Sequence, residues 1–239
     1  MKKTVGIIGG MGPLASCDLL RTIICHTQAE KDQDHIHIIM DCNPEIPDRS
    51  AAIAGKGEDP VPKLVESGKR LIEAGADMLI MHCNTVHYFH EPVAVQLSVP
   101  LLHMPRELAE ALAARGIKKA GIMATDGTID SGIYEKVLKE SGLELVYPTP
   151  EGQSFIMETI YDIKGGKKCS DPAKMQAVID DMRKRGAETI IVGCTEVPQI
   201  LHCLPQYENI VEFTFETGFA DPTLVIAETI IKKAGYTAK

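Results

Sequence analysis

The chain has 239 residues and a formal net charge of −8 at pH 7, with 44% hydrophobic and 24% charged residues. This length allows one large domain or two small ones, and the composition is that of a globular protein and excludes a disordered or fibrous one. The excess of acidic residues argues against binding to nucleic acid or to an anionic membrane, and no apolar run approaches the roughly 18 residues of a membrane-spanning helix, so we expect a cytoplasmic protein.

Short apolar runs alternate with helical patterns along the chain. Seven runs bounded by glycine, proline or polar residues predict buried parallel strands, and they begin at Val5, His35, Met78, Val99, Lys119, Leu143 and Thr189. Helical patterns follow at residues 60–74, 105–115, 131–141 and 171–185, and a last one begins at Asp221. The alternation predicts an α/β fold with mostly parallel sheets flanked by helices.

An internal repeat relates the two halves of the chain. Residues 73–85 and 184–196 share one pattern, an apolar strand that ends at Cys83 in the first copy and at Cys194 in the second. An Asp-Pro pair precedes the helix before each strand, which suits an N-cap followed by proline in the first turn. The repeat predicts two pseudo-symmetric Rossmann-like domains, residues 1–102 with 212–239 and residues 103–211, with an active site between them.

The two repeated cysteines are the strongest candidates for chemistry. Ligands of parallel α/β sheets bind beyond the carboxyl ends of the strands, where Cys83 and Cys194 are expected to lie. Polar residues follow each thiol where a helix should begin, and backbone amides at a helix start stabilise a thiolate or bind a carboxylate. For the other five cysteines we expect core packing or surface exposure; they are Cys17, Cys25, Cys42, Cys169 and Cys203.

The remaining motifs argue against a nucleotide or a metal. The Gly-Gly-Met-Gly-Pro segment at 9–13 predicts an anion-binding turn, but it has neither the dinucleotide-binding nor the Walker A spacing. The histidines 82, 87, 90 and 103 do not form a known zinc signature. We therefore predict no cofactor and no metal, with the histidines near the site or on the surface.

Five segments in this order carry a family resemblance: the glycine-rich turn at 9–13, Asn-Pro-Glu-Ile-Pro-Asp-Arg-Ser at 43–50, Cys-Asn-Thr-Val-His at 83–87, Tyr-Asp-Ile-Lys-Gly-Gly at 161–166 and Gly-Cys-Thr-Glu-Val-Pro at 193–198. Over essentially its whole length the chain resembles the aspartate/glutamate racemase family, in particular the aspartate racemase branch. The resemblance implies a cofactor-independent racemase that interconverts L- and D-aspartate, with glutamate as a second candidate substrate, and a homodimer.

The resemblance also implies roles for individual residues. Cys83 and Cys194 would be acid and base on opposite faces of the substrate Cα, and the site would have to lower a thiol pKa to make a thiolate. Arg49 and Lys164 would bind the two carboxylates of the amino acid. Supporting contacts would come from five further residues, Met11, Asn84, Thr85, Thr125 and Thr195. Asp48 and Glu196 are candidates for orienting the thiols.

Two alternatives stay open from the sequence. Related folds use such a pocket for isomerases or decarboxylases of dicarboxylic acids, although two cysteines argue against the one-thiol decarboxylases. A non-catalytic amino-acid-binding protein would keep the pocket without exchanging the α-proton. Phe219 and Ala220 depart from the more aliphatic segment that the family pattern has before the last helix.

Overall fold

The computed structural model describes residues 2–239, which form two compact units. The first unit contains the chain up to Glu107 and then Thr223–Lys239, and the second is Leu108–Pro222. Both divisions fall in helices, one within Met104–Ala114 and the other at the start of Pro222–Lys233.

The first unit has a four-stranded parallel sheet of order β2-β1-β3-β4. Its strands are β1 (Val5–Gly9), β2 (Ile38–Cys42), β3 (Met78–Met81) and β4 (Leu101–Leu102). Its helices are α1 (Pro13–His26), α2 (Arg49–Ile53), α3 (Val61–Glu73), α4 (His90–Ala94), α5 (Met104–Ala114, which continues into the second unit) and, near the C-terminus, α11 (Pro222–Lys233).

The second unit repeats this plan in a parallel sheet of order β6-β5-β7-β8. Its strands are β5 (Lys119–Ala124), β6 (Glu144–Val146), β7 (Thr189–Gly193) and β8 (Phe219–Ala220). Its helices are α6 (Asp126–Asp130), α7 (Ile133–Glu140), α8 (Pro150–Lys164), α9 (Pro172–Lys184) and α10 (Val197–His202). The predicted α/β fold with two repeated parallel sheets is confirmed.

Hydrophobic layers cover both faces of the first sheet. Ile7 of β1 and Ile80 of β3 belong to one buried cluster, together with residues of α1 and α11. Their strand neighbours Ile8 and Leu79 belong to a second cluster with residues of α3. Successive side chains of a strand point to opposite faces, so a strand covered on both sides reads as a continuous apolar run.

The last helix, α11, completes the first unit. Its residues Ile226, Ile230 and Ile231 are fully buried in the cluster that covers one face of the first sheet. The residues after it return to the end of α1, where the backbone N–H of Lys239 donates to the carbonyl oxygen of His26 at 2.8 Å. The chain therefore closes on the unit in which it began.

The same backbone conformation explains the glycine that is repeated in the two units. Gly75 follows α3 with φ 100°, and Gly186 follows α9 with φ 96°. Residues other than glycine rarely adopt such φ angles, so a glycine follows the helix that precedes the cysteine-bearing strand in both units.

The Asp-Pro pairs differ in detail. Asp171 caps α9 as expected, because its carboxylate accepts a hydrogen bond from the backbone N–H of Lys174 at 2.9 Å. At the first pair, Pro60 has helical angles, so the carboxylate of Asp59 caps this turn as expected, although α3 itself begins at Val61. Asp59 lies one residue before Pro60 and accepts from the N–H of Val61 at 3.0 Å.

Candidate functional site

The turn after β1 is held by a buried serine. Gly10 donates its backbone N–H to the hydroxyl of Ser16 at 2.9 Å, and that hydroxyl donates to the carbonyl oxygen of Gly12 at 3.1 Å. Gly10 has φ 93°, and a Cβ there would collide with the backbone of Asn43. These contacts fix the path of residues 9–13 beside the carboxyl end of the first sheet.

Cys83 lies two residues beyond β3, with 9% of its surface exposed. It belongs to the hydrophobic cluster that includes Met11 and Val86, so the turn after β1 and the turn after β3 share one buried core. A short 3₁₀ turn, Thr85–Phe89, follows the thiol in place of the expected helix start. Asn84 precedes this turn and is buried, as is Thr85.

Arg49 enters the site region on α2, which packs against the 3₁₀ turn after Cys83. Its Nη1 donates to the carbonyl oxygens of Ile46 at 3.2 Å and Pro47 at 2.9 Å. Its Nε is buried and has no hydrogen-bond partner among the described residues. A buried N–H without an acceptor is costly, so the guanidinium retains a donor for a carboxylate.

Asp48, a candidate for orienting a thiol, has a local role in the structure. Its backbone is extended at the N-cap of α2, and its carboxylate accepts from the N–H of Ala51 at 2.7 Å. Asp48 therefore fixes the start of the helix that carries Arg49.

In the second unit, Cys194 follows β7 directly and is 8% exposed. Its thiol donates to Oε2 of Glu196 at 2.9 Å, and the hydroxyl of Thr195 donates to the same oxygen at 3.1 Å. Helix α10 begins one residue later, at Val197. One carboxylate thus holds the thiol and its neighbouring hydroxyl at the strand end.

This carboxylate changes the acidity of the thiol. Burial raises the pKa of Cys194 far above its usual range, and the negative charge of Glu196 and its hydrogen bond raise it further. The backbone N–H of Glu196 and the positive charge of Lys164, the last residue of α8, act in the opposite direction. The expectation that the site lowers the thiol pKa is wrong for Cys194, because burial and Glu196 raise it.

Thr125 reaches the same edge from the neighbouring strand. Ala124 and Gly193 are paired in the β5–β7 register, so Thr125 and Cys194 are the next residues along two adjacent strands. The Thr125 hydroxyl caps α6 by accepting from the N–H of Thr128 at 3.2 Å. Gln153 of α8 donates to the Ala124 carbonyl oxygen at 3.1 Å and thereby ties α8 to this turn.

Three of the histidines form a cluster in the first unit. The ring centroids of His90 and His103 are 4.6 Å apart, and those of His87 and His103 are 5.1 Å apart. Burial lowers the pKa of His87 well below its usual value, and the charges of His103 and His90 lower it further. Within residues 2–239, no three histidine, cysteine or acidic side chains are placed to hold a metal ion.

Sequence reasoning missed two residues that shape these strand ends. Ser16 lies in α1 and Gln153 in the first turn of α8, where nothing in a single sequence separates a loop-fixing side chain from an ordinary helical one.

The predicted site residues are divided between the two units. The first unit contains Met11, Arg49, Cys83, Asn84 and Thr85, and the second contains Thr125, Lys164, Cys194 and Thr195.

No helix in the described part of the chain is long and apolar enough to cross a membrane.

Comparison with known proteins gives consistent matches over most of the chain. The family described as Asp/Glu/Hydantoin racemase matches residues 8–214. The broad specificity amino-acid racemase of Bacillus subtilis is 29% identical over 204 residues, which are 82% of this chain and 87% of that protein. The glutamate racemase of Persephonella marina is 29% identical over 140 residues, 56% of this chain and 51% of the relative.

Among solved structures, the aspartate racemase of Picrophilus torridus superimposes with a TM-score of 0.84. It is 31% identical in sequence, and the match covers 99% of this chain and 96% of the other. The similarity therefore includes both units and both cysteine-bearing strands.

Proposed function

The chain belongs to the Asp/Glu/Hydantoin racemase family and is an amino-acid racemase, and from this premise we propose that it interconverts L- and D-aspartate with two thiols. In this proposal Cys83 and Cys194 exchange protons with opposite faces of the substrate Cα. Glutamate is the second substrate to be tested, because it differs from aspartate by one methylene group.

The observation that carries this proposal is the equivalent position of the two thiols. β3 and β7 each lie third in their sheets, and each is followed within two residues by a buried cysteine. Inversion at Cα needs a base on one face and an acid on the other. Two copies of one strand end supply one thiol each.

The charges near the two strand ends support a dicarboxylic substrate. Arg49 has a buried Nε without an acceptor, and Lys164 lies near enough to Cys194 to act on its pKa. An arginine can bind a carboxylate through two N–H groups, whereas a lysine supplies a compact positive charge. We assign one substrate carboxylate to each of these side chains.

The raised pKa of Cys194 supports an order of proton transfers. A neutral thiol donates a proton, so we assign to Cys194 the protonation of Cα for the enantiomer whose α-hydrogen faces Cys83. Cys83 removes the α-proton, the charge that develops beside the α-carboxylate is stabilised by Arg49 or Lys164, and Cys194 protonates the opposite face. The scheme uses only side chains of this chain.

The substrate proposal is tested by incubating the protein with L-aspartate in deuterated water. We expect incorporation of deuterium at Cα, followed by NMR, and formation of D-aspartate, followed by chiral chromatography. The same assay with L-glutamate and other amino acids measures specificity. Absence of exchange with every amino acid would exclude the racemase proposal, and exchange on another substrate alone would exclude the choice of aspartate.

Light scattering of the same sample tests the proposed homodimer.

The two-thiol mechanism is tested with Cys83→Ala and Cys194→Ala. Each substitution removes the proton donor or acceptor of one face, so we expect racemisation to fall below detection in both. Cys42→Ala is a matched control, because Cys42 ends β2, another strand of the sheet that carries Cys83, and is exposed. Turnover close to wild type in either variant would contradict the mechanism.

A further inference from the structure

The second unit contains a pocket that none of the candidate site residues lines. Its volume is about 510 Å³, within the usual range for sites of small molecules. The wall is formed by the irregular segment between α8 and α9, by the C-terminal half of α10 and by the turn that follows it. The pocket is thus large enough for a ligand and separate from the residues assigned to racemisation.

Two cysteines line this pocket. Cys169 comes from the segment between α8 and α9 and is 7% exposed, whereas Cys203 ends α10 and is partly exposed. The Cys203 thiol donates to the carbonyl oxygen of Gln199 at 3.4 Å. Burial raises the pKa of the Cys169 thiol, whereas a hydrogen bond with the backbone of Asp171 lowers it. A reagent entering from solvent therefore meets Cys203 first.

The charged side chains of the pocket favour an anionic ligand. Two lysines, Lys167 and Lys168, line it, against one carboxylate, that of Glu208. Lys167 is paired with Asp162 at 2.7 Å, but Lys168 and Lys167 are both exposed at the pocket wall. Positive side chains around a thiol attract carboxylate-bearing reagents and stabilise the thiolate during exchange.

We propose that the pocket is a thiol-exchange site, in which Cys203 and Cys169 are oxidised together by small disulfides that carry carboxylate groups. In the first step the Cys203 sulfur attacks one sulfur of the disulfide RS–SR. A mixed disulfide Cys203–S–SR forms, the RS–SR bond breaks, and the leaving sulfur takes the thiol proton as RSH. In the second step the Cys169 sulfur attacks Cys203, which forms the internal disulfide and releases a second RSH.

The internal disulfide would join two segments that follow residues of the proposed catalytic site. Cys169 lies shortly after Lys164, and Cys203 lies at the far end of the helix that follows Cys194. A disulfide requires Cα atoms about 4.4–6.8 Å apart, and the irregular segment that carries Cys169 sets how readily that spacing is reached. Oxidation would therefore restrain the connection between α8 and α9.

The test uses the full-length protein and oxidised glutathione, a disulfide with several carboxylates. After alkylation of remaining thiols, peptide mapping by mass spectrometry should find a Cys169–Cys203 linkage that a reducing agent removes. Cys169→Ser should trap one glutathionyl group on Cys203, and Cys203→Ser should prevent both products. Cys17→Ser is the matched control, because Cys17 is an exposed thiol in the first unit and should leave the linkage unchanged.

A second experiment tests whether the lysines of the pocket favour anionic disulfides. Replacement of oxidised glutathione by the cationic disulfide cystamine should slow the reaction at Cys203 several-fold, and Lys167→Gln with Lys168→Gln should remove that preference. Equal modification of Cys17, Cys25 and Cys42, with no linkage between Cys169 and Cys203, would overturn the proposal. These readouts do not depend on racemase activity, so their failure is distinct from failure of the proposed function.

Discussion

Glu196 is the residue that most distinguishes the two strand ends. It accepts hydrogen bonds from the thiol of Cys194 and from the hydroxyl of Thr195. Burial makes the Cys194 thiolate unfavourable, and the neighbouring carboxylate adds to that cost. Glu196 thus holds the thiol in place and keeps its proton on sulfur.

Substitution of Glu196 by Gln should make the Cys194 thiol more acidic. Gln keeps the size of the side chain but removes the negative charge, so we expect iodoacetamide to label Cys194 about tenfold faster at mildly alkaline pH, which corresponds to about one pKa unit. Labelling is followed by mass spectrometry of the Cys194 peptide. Glu216→Gln, an exposed carboxylate of the same unit, is the control, and an unchanged or slower rate at Glu196→Gln would contradict the interpretation.

Arg49→Lys tests the second residue-scale assignment. Lysine keeps the positive charge but loses the planar fork, so one compact ammonium would have to replace both Nη1 at the two backbone carbonyls and Nε at the ligand. We expect KM for aspartate to rise at least about tenfold, since a hydrogen bond to a charged group contributes about 1.5–3 kcal/mol. Arg21→Lys, an exposed arginine of α1, should leave KM unchanged. Equal KM values for Arg49→Lys and wild type would exclude Arg49 from substrate binding.

At the scale of single elements, the strands were largely predictable because parallel strands buried on both faces are continuous apolar runs. β8 was missed, since a strand of only Phe219 and Ala220 has no pattern of its own. It forms because Phe219 packs edge-on against Phe213 and Tyr207, with ring centroids 5.3 and 5.2 Å away. The repeat itself implied this strand, since β8 occupies the place that β4 has in the first sheet.

The candidate site was predictable to a smaller extent. The repeat identified Cys83 and Cys194 as strand-end residues, because matching strand ends require only sequence register. The hydrogen bond to Glu196 and the position of Ser16 depend on side-chain directions in the folded chain. A single sequence does not contain those directions.

The turn after β1 gives an element-scale prediction. Gly10→Ala should lower the free energy of unfolding, because alanine would have to adopt φ near 93° and its Cβ would collide with the backbone of Asn43. Gly75→Ala is the matched control, with φ 100° and open space around the new Cβ. Backbone strain alone costs about 1–3 kcal/mol, so Gly75→Ala should lose that amount and Gly10→Ala clearly more, as measured by urea unfolding. A loss at Gly10 no greater than at Gly75 would mean that the turn shifts to accept the methyl group.

At the scale of the whole molecule, buried histidines couple stability to pH. Burial lowers the pKa of His82 from 6.5 to about 4, and its Nε2 lies 3.4 Å from the hydroxyl of Thr223 at the start of α11. The folded state holds this ring neutral, whereas the unfolded chain takes up a proton near the ordinary histidine pKa. The stabilising contribution is therefore present above pH 6.5 and is lost as the pH falls towards 4.

For His82 alone this loss is about 3 kcal/mol between the two pKa values. We expect the difference in unfolding free energy between neutral pH and pH near 4 to be smaller in His82→Gln than in wild type, because glutamine takes up no proton. His202→Gln, an exposed histidine, should keep the wild-type difference. If His82→Gln loses as much stability on acidification as wild type, then His82 is not the group that couples folding to protons.

The unequal surroundings of the two thiols have a consequence for kinetics. Mirror-image amino acids have the same free energy in water, so the equilibrium constant of the proposed reaction is unity, and kcat/KM must be equal in the two directions. The carboxylate beside Cys194 cannot make one enantiomer the preferred product, however strongly it holds the thiol proton. The carboxylate can only make kcat and KM differ between the two directions by the same factor, so that their ratio stays equal. The enantiomer that receives its new proton from Cys194 meets that thiol with its proton already in place, and it should show the lower KM with a proportionally lower kcat.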